Sequence, residues 1–289
     1  MKLSSAFSLL GDLFLAIKLA LVPTLKDLLM RPSLLFKPRA LSRTFMAYVW
    51  VTFGTGTDEG GRKVKQNLIP SHAKGVVLDI GAGWYRFRSL IILCWRCLSG
   101  HGHTVNYLDR QKVSKYVALE PNTLMHGEIR TLANRVGYTE TDSTLVILSC
   151  GAEDVTSILS ALAPNSQSPP VDTLISILTM CSIPDPEPAL KRLVRDVLKP
   201  GGTLLFYEHV LSPRPDVAWW QRFWSPIWQI PFDGCRLDRP THVWIDEMMT
   251  ANADGTNISM WSDKQLWGKE GEPEEHLFWH RVGKYVKRT

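Results

Sequence analysis

Hydrophobic positions follow two rhythms along the chain. Over residues 3 to 30, Leu9, Leu10, Leu13, Phe14, Ile17 and Leu21 recur at helical spacing while Asp12 and Lys18 lie off that stripe, which predicts an amphipathic helix. Pro23 falls inside the segment, and Asp12, Lys18, Lys26 and Asp27 keep every uncharged run below the ~18 residues of a membrane span. The helix is therefore expected to lie in a membrane interface rather than to cross it. A helix packed on the main domain is the alternative, and a cleaved signal peptide is a third, weakened by Asp12 within its apolar stretch. A second helix-like stretch runs from Leu41 to Trp50, and Gly54 to Gly61 reads as a glycine-rich turn. From about Ser71 the rhythm changes to short apolar runs of strand length: Gly75 to Ile80, Tyr116 to Glu120, Leu145 to Cys150, Val171 to Leu178 and Thr203 to Tyr207. Between the last two, Pro184 to Pro188 opens a helix with an apolar face of Leu190, Leu193, Val194, Val197 and Leu198, which Lys199 to Gly202 ends. Strands alternating with helices predict an α/β fold with a doubly wound, mostly parallel sheet and a site beyond the C-terminal strand ends.

Composition agrees with a globular chain: of 289 residues, 45% are hydrophobic and 21% charged, which excludes collagenous, coiled-coil and low-complexity classes. Charge changes the picture once it is located. Residues 1 to 45 hold seven basic groups (Lys2, Lys18, Lys26, Arg31, Lys37, Arg39, Arg43) against Asp12 and Asp27, and this excess equals the whole net charge of +5. The chain thus divides into an N-terminal membrane-surface segment, 1–45, and an electrically neutral main domain, 46–289. A nucleic-acid partner is not expected, whereas Arg31, Lys37, Arg39 and Arg43 suit anionic lipid. Five scattered cysteines make no disulfide framework, no Cys/His pair completes a zinc site with Cys94 and Cys97, and no metal is expected.

The run Asp79, Ile80, Gly81, Ala82, Gly83 is a strand end turning into a glycine loop, where backbone approaches a ligand closely. Asp79 suits a cofactor bearing an ammonium group. Residues 84 to 100 then interrupt the pattern, with Leu90 to Leu93, Cys94, Trp95 and Cys97 too apolar for a solvent loop. Without them Gly83 joins His101, and Asp79 is followed by three alternating glycines, the last being Gly102. The interval from Gly83 to Glu120 falls from 37 residues to 20, that of a dinucleotide-type loop and its ribose-binding acid. The segment is read as a retained intron or gene-model error, with a genuine insertion as the rival. Glu120 ends the second strand and can accept hydrogen bonds from both hydroxyls of a ribose, with Asn122 beside it. After the third strand, either Glu153 or Asp154 can accept from an adenine amino group, the other starting the next helix.

The series Asp79 to Gly83, Glu120, Gly151 to Asp154, Asp172 and Leu198 to Gly202 resembles the motif set of class I S-adenosylmethionine-dependent methyltransferases, over about residues 65 to 289. Phe206 to Val210, Trp219 to Trp228 and Phe232 to Cys235 resemble, within that class, the membrane-associated thiol methyltransferases of the methyltransferase-like group. Met180 to Ile183 is similar to these and to quinone-pathway C-methyltransferases. The resemblance implies a Rossmann-like sheet of seven strands, the last two near Asn257 to Trp261 and Val282 to Val286. It also implies S-adenosylmethionine as cofactor and an N-terminal anchor on the cytosolic face of the endoplasmic reticulum or on lipid droplets, a cytoplasmic location being the alternative. His209, at the end of the fifth strand, is the candidate base or substrate-orienting group, with a structural hydrogen-bonded tie as the other reading. Asp233 either orients His209 or holds its loop, and Cys181 and Cys235 are read as small apolar residues of a pocket wall. Trp220, Trp224 and Trp228 share a helical face that serves as core, acceptor lid or second membrane contact.

The expected function is methyl transfer from S-adenosylmethionine to a small lipophilic acceptor, sulfur first, with oxygen or carbon of a secondary metabolite or quinone left open. No obligate protein partner is expected. A nicotinamide dehydrogenase is disfavoured because the repaired loop lacks the G-x-G-x-x-G register. A membrane-bound binding protein without turnover is the non-enzymatic rival.

Overall fold

The computed structural model describes residues 1–82, 103–166, 168–252 and 254–289. Gly83, Gly102 and the segment 84–100 lie outside the described residues. Among the described residues nine strands follow one another: β1 (Gly75–Asp79), β2 (Val113–Leu119), β3 (Leu145–Leu148), β4 (Val171–Ile177), β5 (Leu198–His209), β6 (Met249–Ala251), β7 (Asn257–Ser259), β8 (Trp261–Gly268) and β9 (His280–Lys287). Seven of them form one sheet in the order β3-β2-β1-β4-β5-β9-β8, and β6 pairs β7 separately. The five strands from β3 to β5 run parallel, whereas β9 is antiparallel to both β5 and β8. The expected seven-stranded, doubly wound, mostly parallel sheet of the Rossmann-like methyltransferase fold is therefore present. Its last pair begins later than the sequence suggested, at Trp261 rather than Asn257, because Asn257–Ser259 turns back on Met249–Ala251.

Strand periodicity puts alternate residues on opposite faces. Leu78, Val117, Leu174 and Leu204 face helices α5 (Val155–Leu162) and α6 (Pro186–Arg192). Val77, Tyr116, Ile175 and Leu205 face α4 (His126–Arg135) and the end of a long helix, α3 (Pro38–His72). The expected turn at Gly54 to Gly61 does not interrupt α3, which continues for 35 residues across it. Packing outweighs glycine's weak helix propensity there. At Gly61 a Cβ would stand 2.8 Å from Tyr207 Cε1, so the absent side chain lets α3 lie directly against β5.

The N-terminal segment forms α1 (Leu3–Ala6) and α2 (Ser8–Met30), the second with Pro23 inside it. A third core cluster joins Leu9, Ala16 and Ala20 of α2 to Met46 and Val49 of α3 and to Trp224 and Trp228 of α7 (Pro215–Trp228). Trp224 Nε1–H donates to the Ala6 carbonyl at 2.8 Å, and Phe7 meets the edge of Trp220 at 5.2 Å. Buried Asp27 accepts from Tyr48 at 2.8 Å and pairs with Arg31, joining α2 to α3.

The predicted stripe of α2 is divided between an inner and an outer face. Leu9 and the small residues Ala16 and Ala20 point inward, where they allow close packing, while Leu10, Phe14, Ile17 and Leu21 are exposed. On α7, Trp219, Phe223 and Ile227 are exposed as well. By length and composition Leu3–Met30, 28 residues, is long and apolar enough to cross a membrane. Short α8 (Thr241–Asp246) closes the far end of the sheet, where Trp261 Nε1–H donates to the Ile245 carbonyl.

Candidate active site

A parallel sheet leaves a crevice outside its C-terminal strand ends, and here the turns following β1 to β5 line one cavity of about 850 Å³. Gly81 follows β1, Glu120 and Asn122 follow β2, Gly151 to Glu153 follow β3, Thr179 and Cys181 follow β4, and His209 ends β5. The structure so brings together Gly81, Glu120, Asn122, Glu153, His209 and Asp233, all expected at the site.

The β1 turn is held from beneath. Asp79 is buried and does not line the cavity; its carboxylate accepts from Tyr116 Oη at 2.9 Å and from the Gly81 N–H at 3.4 Å. Burial pushes this carboxyl up to about 6 against the hydrogen bonds from Tyr116, Thr104 and Gly81. Gly81 has no room for a side chain, since a Cβ would stand 1.9 Å from Thr179 Oγ1. Asp79 is thus a support of the loop, one layer behind the position expected for it.

At the β2 end, Glu120 Oε1 accepts from the Asn122 N–H at 2.6 Å, and His126 Nε2 bonds the Glu120 carbonyl at 2.8 Å. The β3 turn resolves the choice between two acids. Asp154 accepts from Ser157 N at 3.1 Å and Ser157 Oγ at 2.6 Å, an N-cap of α5, and these bonds hold its pKa below the usual carboxylate value. Glu153 lines the cavity.

The β4 and β5 ends carry a cluster that sequence reasoning missed. Cys181, His209 and Cys235 are buried, all three line the cavity, and their ligand-type atoms lie within 4.8 Å of one another. Cys235 Sγ stands 3.5 Å from His209 Nε2. A hydrogen bond from Cys235 lowers the Cys181 thiol well below its ordinary value against the opposing effect of burial, with the His209 charge assisting. The Cys235 thiol is raised correspondingly by that bond to Cys181 and by burial. Burial disfavours charge on His209, but the adjoining Cys181 outweighs it and raises the imidazole. The two cysteines thus stand in the cavity wall, as expected, and beside His209.

The loops bearing them are pinned. Glu208 Oε1 accepts from Ser176 Oγ at 2.6 Å, Thr179 N at 3.0 Å and Met180 N at 3.3 Å, and burial raises this carboxyl to about 7. Arg239 donates to the carbonyls of Met180 and Ile183, and the Arg236 N–H to the Cys181 carbonyl at 3.0 Å, which joins the two cysteine loops. Asp233 does not contact His209: its carboxylate pairs with Arg43 at 3.2 Å and its N–H donates to Ser42 Oγ at 3.1 Å. Of its two expected roles, the structure gives it the holding of the loop, here against α3.

The tryptophan face divides. Trp224 is core, whereas Trp228 stacks on Phe232 at 3.8 Å and lines the cavity with Phe278 and, from α3, Met46. His276 and His280 also reach the cavity and both hydrogen-bond Glu272 through Nδ1, at 3.0 and 2.5 Å. Burial lowers His280 to about 4, and the two histidine bonds hold Glu272 at about 2 against its own burial. The spacing Glu272, His276, His280 is a legible signal that the sequence reading passed over.

Residues 97–206 match the family model described as a methyltransferase domain. Among curated proteins, thiol S-methyltransferase TMT1B of Homo sapiens is 40% identical over 91 residues, 31% of this chain and 35% of that protein. TMT1B of Rattus norvegicus is 43% identical over 72 residues, 25% of this chain and 29% of that protein. The chain thus spans about a third of the length of the curated relatives it matches. Of solved structures, N-methyltransferase NodS from Bradyrhizobium japonicum, in complex with S-adenosyl-L-homocysteine, aligns with a TM-score of 0.42 and 12% identity over 80% of this chain and 87% of that one.

Proposed function

We propose that this chain, which carries a class I S-adenosylmethionine-dependent methyltransferase domain, moves a methyl group from S-adenosylmethionine to a small lipophilic thiol. One observation carries the reading: a single cavity joins strand-end acids suited to a nucleoside at one side to an aromatic, cysteine- and histidine-lined wall at the other. Methyl transfer needs donor and acceptor in one water-poor space and in line, and the protein mainly supplies that alignment.

The residues fit the donor. Glu120 is positioned to accept from ribose hydroxyls and Glu153 from an adenine amino group, while Asp79 fixes the turn that carries Gly81. A buried carboxyl with a raised pKa, as Asp79 has, is one that a nearby ammonium would favour in its charged form. When bound, S-adenosylmethionine supplies an electrophilic methyl on a sulfonium. The acceptor end is apolar, with Met46, Trp228, Phe232 and Phe278 to exclude water. A thiol needs only modest help to ionise, and the Arg239 guanidinium beside the Cys181, His209 and Cys235 cluster offers positive charge to a thiolate. His209 accordingly serves to orient the acceptor rather than to take its proton, because it is already engaged with the thiols. The thiol S-methyltransferase relatives support sulfur over oxygen or carbon.

The exposed residues of α2 and α7, Leu10, Phe14, Ile17, Trp219, Phe223 and Ile227, form the surface proposed to meet a membrane, with Arg39 and Arg43 of α3 at the cavity mouth. The resemblance described above favours the cytosolic face of the endoplasmic reticulum or a lipid droplet.

Labelled S-adenosylmethionine offered to the full chain with a panel of small thiols, phenols and quinols tests the reading. Methylated thiols are the expected product. Calorimetry without heat from either S-adenosylmethionine or S-adenosylhomocysteine would remove the donor and with it the proposal.

A further inference from the structure

We infer that Cys181, His209 and Cys235 form a binding site for one tetrahedral cation, zinc first, whose fourth position opens into the cavity and takes the acceptor thiolate. The inference deepens the proposed function and rests on its thiol acceptor.

Geometry carries it. Three ligand atoms, two sulfurs and one imidazole nitrogen, lie within 4.8 Å of one another. In a tetrahedral zinc site with Zn–S of about 2.3 Å and Zn–N of about 2.0–2.1 Å, the S···N edge is about 3.5–3.6 Å. The Cys235 Sγ to His209 Nε2 separation is 3.5 Å. Three protein ligands with an open fourth position is the arrangement of catalytic zinc, and two cysteines with one histidine is among its ligand sets. Since all three residues line the cavity, the open position faces the acceptor.

The site is also held in place before any cation arrives, which a metal site requires. Glu208 and Arg239 clamp the Cys181 loop, Arg236 N–H ties it to the Cys235 loop, and the His209 ring is packed edge-on against Phe278 at 5.4 Å. Charge is consistent as well. Two thiolates and a neutral imidazole balance a divalent cation, and a third thiolate leaves one negative charge, against which Arg239 stands.

The chemistry balances. The acceptor R–SH loses its proton to water as its sulfur binds the cation. A sulfur lone pair then forms the new S–C bond to the methyl carbon while the C–S⁺ bond of the donor breaks, its electron pair remaining on the donor sulfur. The product R–S–CH₃ is a neutral thioether, a weak ligand, and leaves. The second cluster, Glu272, His276 and His280, offers no sulfur ligand, so it cannot give the thiolate charge-transfer band by which the first is read.

The test is metal analysis of the untagged full chain, purified in detergent and dialysed against metal-free buffer, followed by cobalt(II) substitution. About one zinc per chain is expected, and cobalt should give thiolate-to-cobalt charge-transfer absorption with the intense visible bands of a tetrahedral site, both altered by a small thiol. Cys181→Ser and Cys235→Ser should each lose the zinc and the charge-transfer band while still binding S-adenosylhomocysteine, which shows them folded. His276→Gln should keep both. A chain that binds S-adenosylhomocysteine and methylates thiols but retains no zinc and shows no cobalt band overturns the inference. So does an unchanged cobalt spectrum in both serine variants. A cobalt spectrum with no thiol methylated would instead leave the cation site standing and defeat the thiol reading.

Discussion

The two ends of the cavity are built on different principles. At the β1 to β3 end, recognition is assigned to backbone turns and to acids at strand termini, each placed by its own short stretch of chain: Gly81, Glu120 and Glu153 follow directly from where their strands stop. At the β4 and β5 end, the working groups come from distant segments. Cys181, His209 and Cys235 meet only because Glu208, Arg239 and Asp233 tie their loops to the sheet and to α3. A site of the first kind tolerates change elsewhere in the molecule, whereas one of the second kind depends on the packing of the whole N-terminal region. The N-terminal helices therefore complete the acceptor wall, with Leu15, Arg39, Arg43, Met46, Gly56 and Gly60 all at the cavity.

That dependence is broken most severely at Trp224. Its indole is buried between α2, α3 and α7, and its N–H satisfies the Ala6 carbonyl. Trp224→Ala is expected to destabilise the chain by about 3–5 kcal/mol, from lost burial and the cavity left behind. Chemical denaturation in detergent measures it. A loss under 1 kcal/mol would mean that the N-terminal helices are not an integral part of the fold.

The next effect separates the two ends by pH. Glu208 is raised from 4.5 to about 7 and Asp79 from 3.8 to about 6, both by burial. A carboxyl raised in the folded state contributes stability that is fully present below its unfolded value and is lost as pH rises through the folded one. Stability should therefore fall from about pH 4 to about pH 7, with Glu208 contributing at most about 3 kcal/mol. Glu208→Gln keeps an acceptor for Ser176, Thr179 and Met180 but removes the titration, so its melting temperature should depend less on pH, with the Asp79 part of the slope remaining. An identical slope in the variant would show that Glu208 is ionised throughout.

Glu120→Ala acts at the other end. Loss of a carboxylate from the proposed ribose position should weaken S-adenosylhomocysteine binding roughly 10- to 100-fold, the effect of about 1.5–3 kcal/mol of charge-assisted hydrogen bonding. Titration calorimetry reads it, and unchanged affinity would place the ribose elsewhere.

Legibility in the sequence follows the same division. The strands β1 to β5 and their acids are local patterns, and the periodicity of residues 75–80 or 145–150 is enough to find them, whereas the last two strands followed only from the family resemblance. The contact of Cys181 with Cys235 is not local: 54 positions separate them, and neither their spacing nor their type distinguishes them from apolar wall residues. The two roles expected of Asp233 were not separable for a similar reason, since Arg43, its partner on α3, lies 190 positions away. Helix α3 was misread because glycines at 54, 56, 60 and 61 weaken a local helix signal, although at Gly61 the missing side chain is what allows contact with Tyr207.

The smallest expected effect tests the one ambiguity that local pattern left open and packing decided. Asp154 and Glu153 are adjacent acids after β3, and only the geometry of α5 distinguishes them. Asp154 caps that helix through Ser157 and does not line the cavity. Asp154→Ala should thus lower the melting temperature by roughly 2–4 °C, the ordinary cost of a lost N-cap in a domain of this size, without changing affinity for S-adenosylhomocysteine. Glu153→Ala should do the reverse, since its carboxylate supports no helix end and faces the cavity. Paired calorimetry and melting curves of the two variants distinguish the assignments. An affinity loss in Asp154→Ala with none in Glu153→Ala would exchange their roles, and would mean that the β3 turn rearranges when the nucleoside enters.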